Sequence, residues 1–335
     1  EACLNKPIPK QEWQISHEQV ELEKKLGSGA FGEVFKGTLK QSDGQKMAVA
    51  VKTCPEIHKD PKKRLEFLKE ARIMRQYQHP NIIHFIGVAA QKEPIMLIIE
   101  LAANGGLDDY LHKNGPKITL DQKLKFCFDA AKGMEYVAEK HCLHRDLACR
   151  NCLLGADFEV KISDFGLSKH GEDFYKIKTT NRPLPVKWLA PETLTRRIYT
   201  QETDVYSFGI VMWEIYSDAK EPYPGITNKE IIVKVGFNKY RMDPPEIMPK
   251  NVAKIMQRCW EHQNYKRPKF LEIRQLLEKL VNGEECDVTP VQECDVTPVE
   301  EYLNDKKQSP IKTEPHGKNE NKSNKDTTDT TALTV

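Results

Sequence analysis

The stretch HRDLACRNCLL, residues 144–154, crowds His144, Arg145, Asp146, Arg150 and Asn151 around two cysteines, Cys149 and Cys152. It raises two chemistries. The cysteines have the C-x2-C spacing of a zinc or redox site, whereas Asp146 offers a carboxylate for proton transfer and Asn151 an oxygen ligand for a hard cation. A zinc site wants a second ligand pair, and Cys3, Cys54, Cys127, Cys142, Cys259, Cys286 and Cys294 supply no further C-x2-C. A thioredoxin-like site wants a βαβ unit leading into the motif, and none does. The two cysteines are therefore expected to be small buried residues beside the carboxylate. Further on, KISDFG (161–166) puts Asp164 at the end of a strand-like EVKI. Phosphoryl transfer requires Mg²⁺ held by hard oxygen ligands and a carboxylate that accepts a hydroxyl proton. Asp164 and Asn151 suit the first task and Asp146 the second. Taken singly, each aspartate is more often a cap or turn residue.

Those residues need a phosphate to act on, and LGSGAFGEVFKG (26–37) carries Gly27, Gly29 and Gly32 in G-x-G-x-x-G spacing. A dinucleotide fold would place a helix straight after the glycines and an acid about 20 residues on. Here EVFKGTL alternates like a strand, and Lys52 stands near where the acid should be. The other reading is a hairpin whose turn, Leu26, Gly27, Ser28, Gly29, Ala30, Phe31 and Gly32, lies over a nucleotide's phosphates. An ordinary tight hairpin is what the glycines alone would suggest.

MAVAVK (47–52) supports the nucleotide. On a strand, Met47, Val49 and Val51 share one face, and Ala48, Ala50 and Lys52 the other. Two alanines leave room for a flat ligand, and an inward lysine needs an anion. The following segment, KDPKKRLEFLKEARIMRQY (59–77), reads as a helix with Asp60 as N-cap and Pro61 in its first turn. Glu70 lies on its apolar stripe of Phe67, Ala71 and Met74. Inward Glu70 and inward Lys52 are expected to pair, with Lys52 on phosphate oxygens.

Composition sets the outer bounds. The chain has 335 residues, with 51 Lys+Arg against 49 Asp+Glu, so no global charge points to nucleic acid or an anionic membrane. From Asn282 to Val335 there are 6 lysines and 12 acids, net −6, leaving a body of net +8 that suits an anionic ligand. Nine scattered cysteines in a chain this long fit a reducing, cytoplasmic setting without disulfides. The apolar run PIMLIIELAA (94–103) is too short and too broken to span a membrane. Residues 1–19 read as a linker in which Trp13 packs on the body, 20–281 as globular, and 282–335 as a disordered acidic tail in which ECDVTPVQ recurs as ECDVTPVE. The chain opens on Glu1 rather than Met, as a fragment would.

The ordered set of glycine loop, Lys52, Glu70, Asp146, Asn151 and Asp164, followed by APE (190–192), DVYSFG (204–209) and CWEHQNYKRP (259–268), resembles the eukaryotic protein kinases from about Val20 to Val281. Within them Ala148, Arg150 and LPVKWLAPE (184–192) resemble the tyrosine kinases. PIPKQEWQISHEQV, HCLHRDLACRNCLL and KISDFGLSK are closest to the Fes/Fer group of non-receptor kinases, which carry a Src-homology 2 domain just upstream. Cys149 stands where that branch usually has Ala.

The resemblance implies an α+β fold in two lobes, a small antiparallel sheet with one helix and a larger, mainly helical lobe from about Asn104. It implies that Glu192 pairs with Arg267, that Asp204 anchors the backbone around Asp146, and that Pro185 shapes the wall beside a phenolic acceptor. It further implies ATP with Mg²⁺ or Mn²⁺. Adenine would lie against the backbone from Glu100 to Ala102, with Ile99 as gatekeeper, Val34, Ala50 and Leu153 sandwiching the ring, and Asp109 near the ribose. The expected activity is transfer of the γ-phosphoryl of ATP to protein tyrosine, with Asp146, Arg150, Lys52 and Glu70 in the machinery. Regulation is expected at Tyr175, whose phosphate would meet Lys176, Lys178, Arg182 and Arg145. In the tail, Tyr302 in PVEEYLNDKK (298–307) resembles a docking signal for a Src-homology 2 adaptor once phosphorylated. Plasma-membrane recruitment would come through partners or upstream regions. A pseudokinase scaffold is the rival reading; such chains commonly lose Lys, Asp or a metal ligand, and all are present here.

Overall fold

Alternation in the first hundred residues does produce strands. The computed structural model describes residues 11–29, 32–54, 60–171, 173–176, 184–285 and 288. Strands β1 (Val20–Gly29), β2 (Gly32–Lys40), β3 (Lys46–Thr53), β4 (Phe85–Ala89) and β5 (Met96–Glu100) form one antiparallel sheet in the order β1-β2-β3-β5-β4. The period of two sorts β3 as its sequence requires. Val49 and Val51 join Leu39, Ala89, Met96, Ile98 and Ile15 in a core on one face, with Met47 at its edge. Ala50 and Lys52 occupy the other, opposite Ile99 and Leu97 of β5. That second face is covered by helix α1 (Pro61–Met74), which begins where Asp60 accepts the N–H groups of Lys62 and Lys63 at 2.9 and 3.4 Å. The helix buries Phe67, Glu70, Ala71, Ile73 and Met74.

The larger lobe is mainly helical, giving a two-lobed α+β architecture: α2 (Leu107–Asn114), α3 (Leu120–Glu139), α4 (Pro191–Arg196), α5 (Gln201–Tyr216), α6 (Asn228–Gly236), α7 (Lys250–Cys259) and α8 (Phe270–Val281). Short strands fill the loops: β6 (Cys142–Leu143) pairs with β9 (Lys169–His170), β7 (Cys152–Leu154) with β8 (Val160–Ile162), and β10 (Phe174–Lys176) with β11 (Ile198–Thr200). Helix α5 is buried from Thr203 to Tyr216, as expected of a helix apolar on every side. Among the described residues no helix is long and apolar enough to cross a membrane.

Two stretches do more than the sequence suggested. Within residues 11–19, Ile15 donates to the Val88 carbonyl at 3.0 Å and Val88 donates back to Trp13 at 2.8 Å, so the segment runs beside β4. Trp13 itself lies under the Arg75 guanidinium, 4.7 Å from the ring centroid. Beyond α8, Val288 is buried and joins the larger core.

Arg267 and Glu192 lock the lower part of the helical lobe. The buried guanidinium donates to both Glu192 oxygens at 2.6 and 2.9 Å and to the carbonyls of Glu202 and Glu261, each at 2.8 Å. A bidentate pair whose cation makes two further bonds to carbonyls is the geometry in which a buried ion pair holds. Arg267→Ala is expected to cost about 3–5 kcal/mol, because it leaves Glu192 and two carbonyls without their partner. Denaturant unfolding checks this, and a loss below about 1 kcal/mol, the level of a surface pair, would contradict it.

Candidate active site

Three carboxyl groups and one ammonium group converge beneath the sheet. The inward face of β3 delivers Lys52, the apolar stripe of α1 delivers Glu70, and the turn after β8 delivers Asp164. Lys52 Nζ donates to both Glu70 oxygens, at 2.7 and 2.9 Å, and to Asp164 Oδ1 at 3.2 Å. Burial alone would lower the Lys52 ammonium, but the charges of Glu70 and Asp164 outweigh it and hold it above its ordinary value. With both its oxygens on Nζ, Glu70 stands as the anionic half of an ion pair. Asp164 adopts left-handed backbone, φ 58° and ψ 74°, and its Oδ1 also accepts from the Gly166 N–H at 3.3 Å. That conformation is uncommon for a residue with a Cβ. Here it turns the carboxylate toward Lys52 while Phe165 goes the other way, edge-on to His144 and Tyr77 with centroids 5.1 and 5.4 Å apart.

The fourth member, Asp146, is set by the loop after β6. Asp204, at the start of α5, accepts the backbone N–H groups of His144 and Arg145 at 2.7 and 2.9 Å, which is the anchoring expected of it. Asn151 closes the loop by donating through Nδ2 to the Asp146 carbonyl at 2.6 Å, and its own carbonyl accepts from Ser163, the residue just before the Lys52 partner Asp164. Arg150 donates to Asp146 Oδ1. Burial pushes the Asp146 carboxyl up, and nearby Asp164 adds to that, while Arg150 and His144 oppose it. A carboxylate raised in this way is a better proton acceptor than an exposed aspartate. Cys149 and Cys152 are fully buried in the core against α5, with both thiols pushed up by burial, so they are packing residues rather than thiolates.

Above these groups lies the glycine hairpin. Gly32 is sterically required: its φ is +125°, and a Cβ would stand 2.0 Å from the Thr53 carbonyl oxygen. Around Gly27, by contrast, a Cβ would meet nothing within 4 Å, and Leu26 and Ser28 are exposed beside that space. Ala30 and Phe31 lie outside the described residues. Val34 and Ala50 face the same side of the sheet, Val34 beside Lys52 and Ala50 beside Ile99. Leu153 bridges to Gly106 from below. Glu100 ends β5, its carboxylate taken by the His84 N–H at 2.8 Å and Lys161 at 3.2 Å. Ala102 is half-buried and Asp109 exposed. These residues fit a nucleotide: small or branched apolar groups for a flat ring, open space at Gly27 for phosphates, and an ammonium in the same cross-strand row. The oxygens of Asp164 and Asn151 fit Mg²⁺, which commonly takes one or two protein ligands and leaves the rest to phosphates and water.

Tyr175 lies on β10 opposite Tyr199 of β11. The Arg145 guanidinium sits over both rings, 4.5 and 4.4 Å from their centroids, and Lys169 Nζ is 4.4 Å from that of Tyr175. Lys176 is exposed, and Lys178 and Arg182 lie outside the described residues. The sequence reading missed Lys169 and Tyr199; both reach Tyr175 only through short strand pairings that no local pattern encodes.

The sequence family described as protein tyrosine and serine/threonine kinase matches residues 20–277. Human tyrosine-protein kinase Fer is 45% identical over 275 residues, which cover 82% of this chain and 33% of Fer. Fer-related kinase 1 of Caenorhabditis elegans is 42% identical over 285 residues, covering 85% of this chain and 71% of that protein. The transforming protein Fps of Fujinami sarcoma virus is 42% identical over 275 residues, 81% of this chain and 31% of its own length. The chain therefore spans about a third of two of these relatives and most of the other. With the family matched across both lobes, the chain belongs to the protein tyrosine and serine/threonine kinases, and its kinase domain is of the Fes/Fer-like tyrosine kinase type.

Proposed function

We propose that the chain transfers the γ-phosphoryl group of ATP to tyrosine hydroxyls of proteins. The observation that carries this reading is the convergence of Lys52 with Glu70 and Asp164. This buried ammonium, held between two carboxylates on the sheet face it shares with Val34 and Ala50, is the cation that phosphate oxygens would meet, taking over part of its hydrogen bonding. Kinase domains use ATP with Mg²⁺, which would supply positive charge against the charge that develops on the phosphates. Asp164 and Asn151 would hold it. Asp146 accepts the proton of the acceptor hydroxyl as the new P–O bond forms and the bond to the β-phosphate oxygen breaks, releasing ADP. Arg150 keeps the Asp146 carboxylate in place. Val34, Ala50, Ile99 and Leu153 enclose the adenine, the backbone from Glu100 to Ala102 reads its edge, and Asp109 meets the ribose. Pro185 walls the groove for the phenol. The setting is cytoplasmic, with recruitment to the plasma membrane through partners.

Kinetics on a tyrosine peptide tests the roles. Lys52→Met is expected to lower kcat by about a thousandfold or more in a folded protein. Asp146→Asn should lose transfer and keep nucleotide binding, whereas Asp164→Asn should weaken the Mg²⁺ dependence of binding itself. Near-normal transfer by Lys52→Met, or normal Mg·ATP binding by both aspartate variants, contradicts the assignment. Nucleotide binding without transfer by the wild type would favour the pseudokinase.

Tyr175 is the proposed switch. Phosphorylation adds about −1.5 to −2 charge between Arg145 and Lys169, which would hold β10 in place. Tyr175→Phe should lower activity and remove the main site of autophosphorylation, as read by mass spectrometry; unchanged activity and phosphate content would reject the switch.

Tyr302, outside the described residues, is proposed as a docking site for a Src-homology 2 adaptor through the phosphotyrosine-x-Asn pattern. A phosphorylated peptide of residues 298–307 should bind such a domain and its plain counterpart should not. Equal weak binding would end the idea.

A further inference from the structure

Helix α5 is apolar on every side, yet it buries Glu214 near its C-terminal end. A carboxylate taken out of water needs partners. One oxygen, Oε2, accepts from the Cys149 backbone N–H and from the Trp188 indole N–H, both at 3.0 Å. Cys149 lies in the loop of Asp146, and Trp188 in the segment that carries Pro185. The Trp188 ring holds the Arg150 guanidinium against its face, with Cζ 4.5 Å from the centroid, and Arg150 donates to Asp146. Arg150 follows Cys149 directly. Both anchors of this arginine, its own backbone and the ring beneath it, therefore end at Glu214.

A neutral acceptor would serve the same two donors without burying charge, so the charge itself calls for a reason. Burial pushes the Glu214 carboxyl up to about 7, while the bonds from Trp188 and Cys149 and the charge of Arg150 oppose the shift and Asp108 of α2 adds to it. The thiols of Cys149 and Cys152, the remaining titratable neighbours, are pushed up and neutral. Arg150 is thus the cation common to two carboxylates, Asp146 by direct contact and Glu214 through its field.

We infer that Glu214 is a positioning residue for phosphoryl transfer: its hydrogen bonds tie the Asp146 loop to the Trp188 segment, and its negative charge holds Arg150 against the proton acceptor. The inference rests on the reading of Asp146 given above. Glu214 touches no reacting atom, so its loss should lower kcat while leaving the KM for ATP alone.

Two variants of the full chain test this with Mg·ATP and a tyrosine peptide. Glu214→Gln keeps the shape and an acceptor oxygen but not the charge; Trp188→Phe keeps a ring for Arg150 but not the N–H. Each is expected to lower kcat roughly tenfold or more, with the KM for ATP unchanged and Tm retained. Because both act through one path, the double variant should fall little further than the worse single. As pH drops through about 7, the wild type protonates Glu214 and loses activity, whereas the Glu214→Gln profile should be flat there. Wild-type kcat in a folded Glu214→Gln, or losses that multiply in the double variant, overturn the inference. If Glu214→Gln does not fold, Trp188→Phe decides, and an unchanged kcat there overturns it. A wild type without transfer sinks the proposed function together with this inference; an active wild type with an unaffected Glu214→Gln sinks the inference alone.

Discussion

The ammonium of Lys52 is where the sheet, α1 and the helical lobe meet. Taking a cation out of water is costly, and it is tolerated here because Glu70 and Asp164 both reach it. Much of the local architecture follows from that requirement. β3 must turn its lysine inward, so its period places Ala48 and Ala50 on the same side. α1 must carry a carboxylate among apolar residues, and Asp164 must leave ordinary backbone geometry to bring its oxygen within 3.2 Å. Removing Lys52 would leave the buried Glu70 carboxylate without the cation that both its oxygens accept from. Gly27, with open space around it, stands in the same cross-strand row as Val34 and Lys52.

A second set of constraints comes from α5. Its aliphatic and aromatic faces are buried, which makes it a rigid post, and its few polar side chains act as fixed points for neighbouring loops. Asp204 holds the backbone of His144 and Arg145 near one end, and Glu214 holds Cys149 and Trp188 near the other. Burial pushes the Asp204 carboxyl up, while His144 and the two backbone N–H groups oppose it. Asp146 is thus held from behind through the bonds of α5 to residues on either side of it, which fits the tight placement that proton transfer requires. The buried Tyr206, hydrogen-bonded to Tyr223 at 2.9 Å, extends the post toward Arg267 and the α8 side of the lobe.

What could be read from the chain before folding was whatever a short period encodes. The alternation of MAVAVK placed Lys52, and the stripe around Phe67 and Met74 placed Glu70 opposite it. The caps at Asp60 and Pro61 set where α1 begins. The contact between Lys52 and Asp164 spans 112 residues, and nothing local to either specifies it; the shared need of a phosphate, and then the resemblance to kinases, put the two in one site, but neither foretold the direct bond. Lys169 and Tyr199 escaped for the same reason. Glu214 had a signal, a lone carboxylate inside a helix apolar all round, but its partners lie in other segments. The pairing of residues 11–19 with β4 and the burial of Val288 were hidden by composition, since Pro-rich and acidic surroundings disguised single apolar residues that find a core.

The claim at the centre of this account is that the Lys52 cluster and Asp146 together transfer phosphoryl groups to tyrosine. Incubation with γ-labelled ATP and Mg²⁺, on a protein acceptor offering serine, threonine and tyrosine, followed by phosphoamino-acid analysis, tests it most directly. The account predicts label on phosphotyrosine alone. A folded chain that binds Mg·ATP yet leaves the acceptor unlabelled, or label on phosphoserine or phosphothreonine, would contradict it.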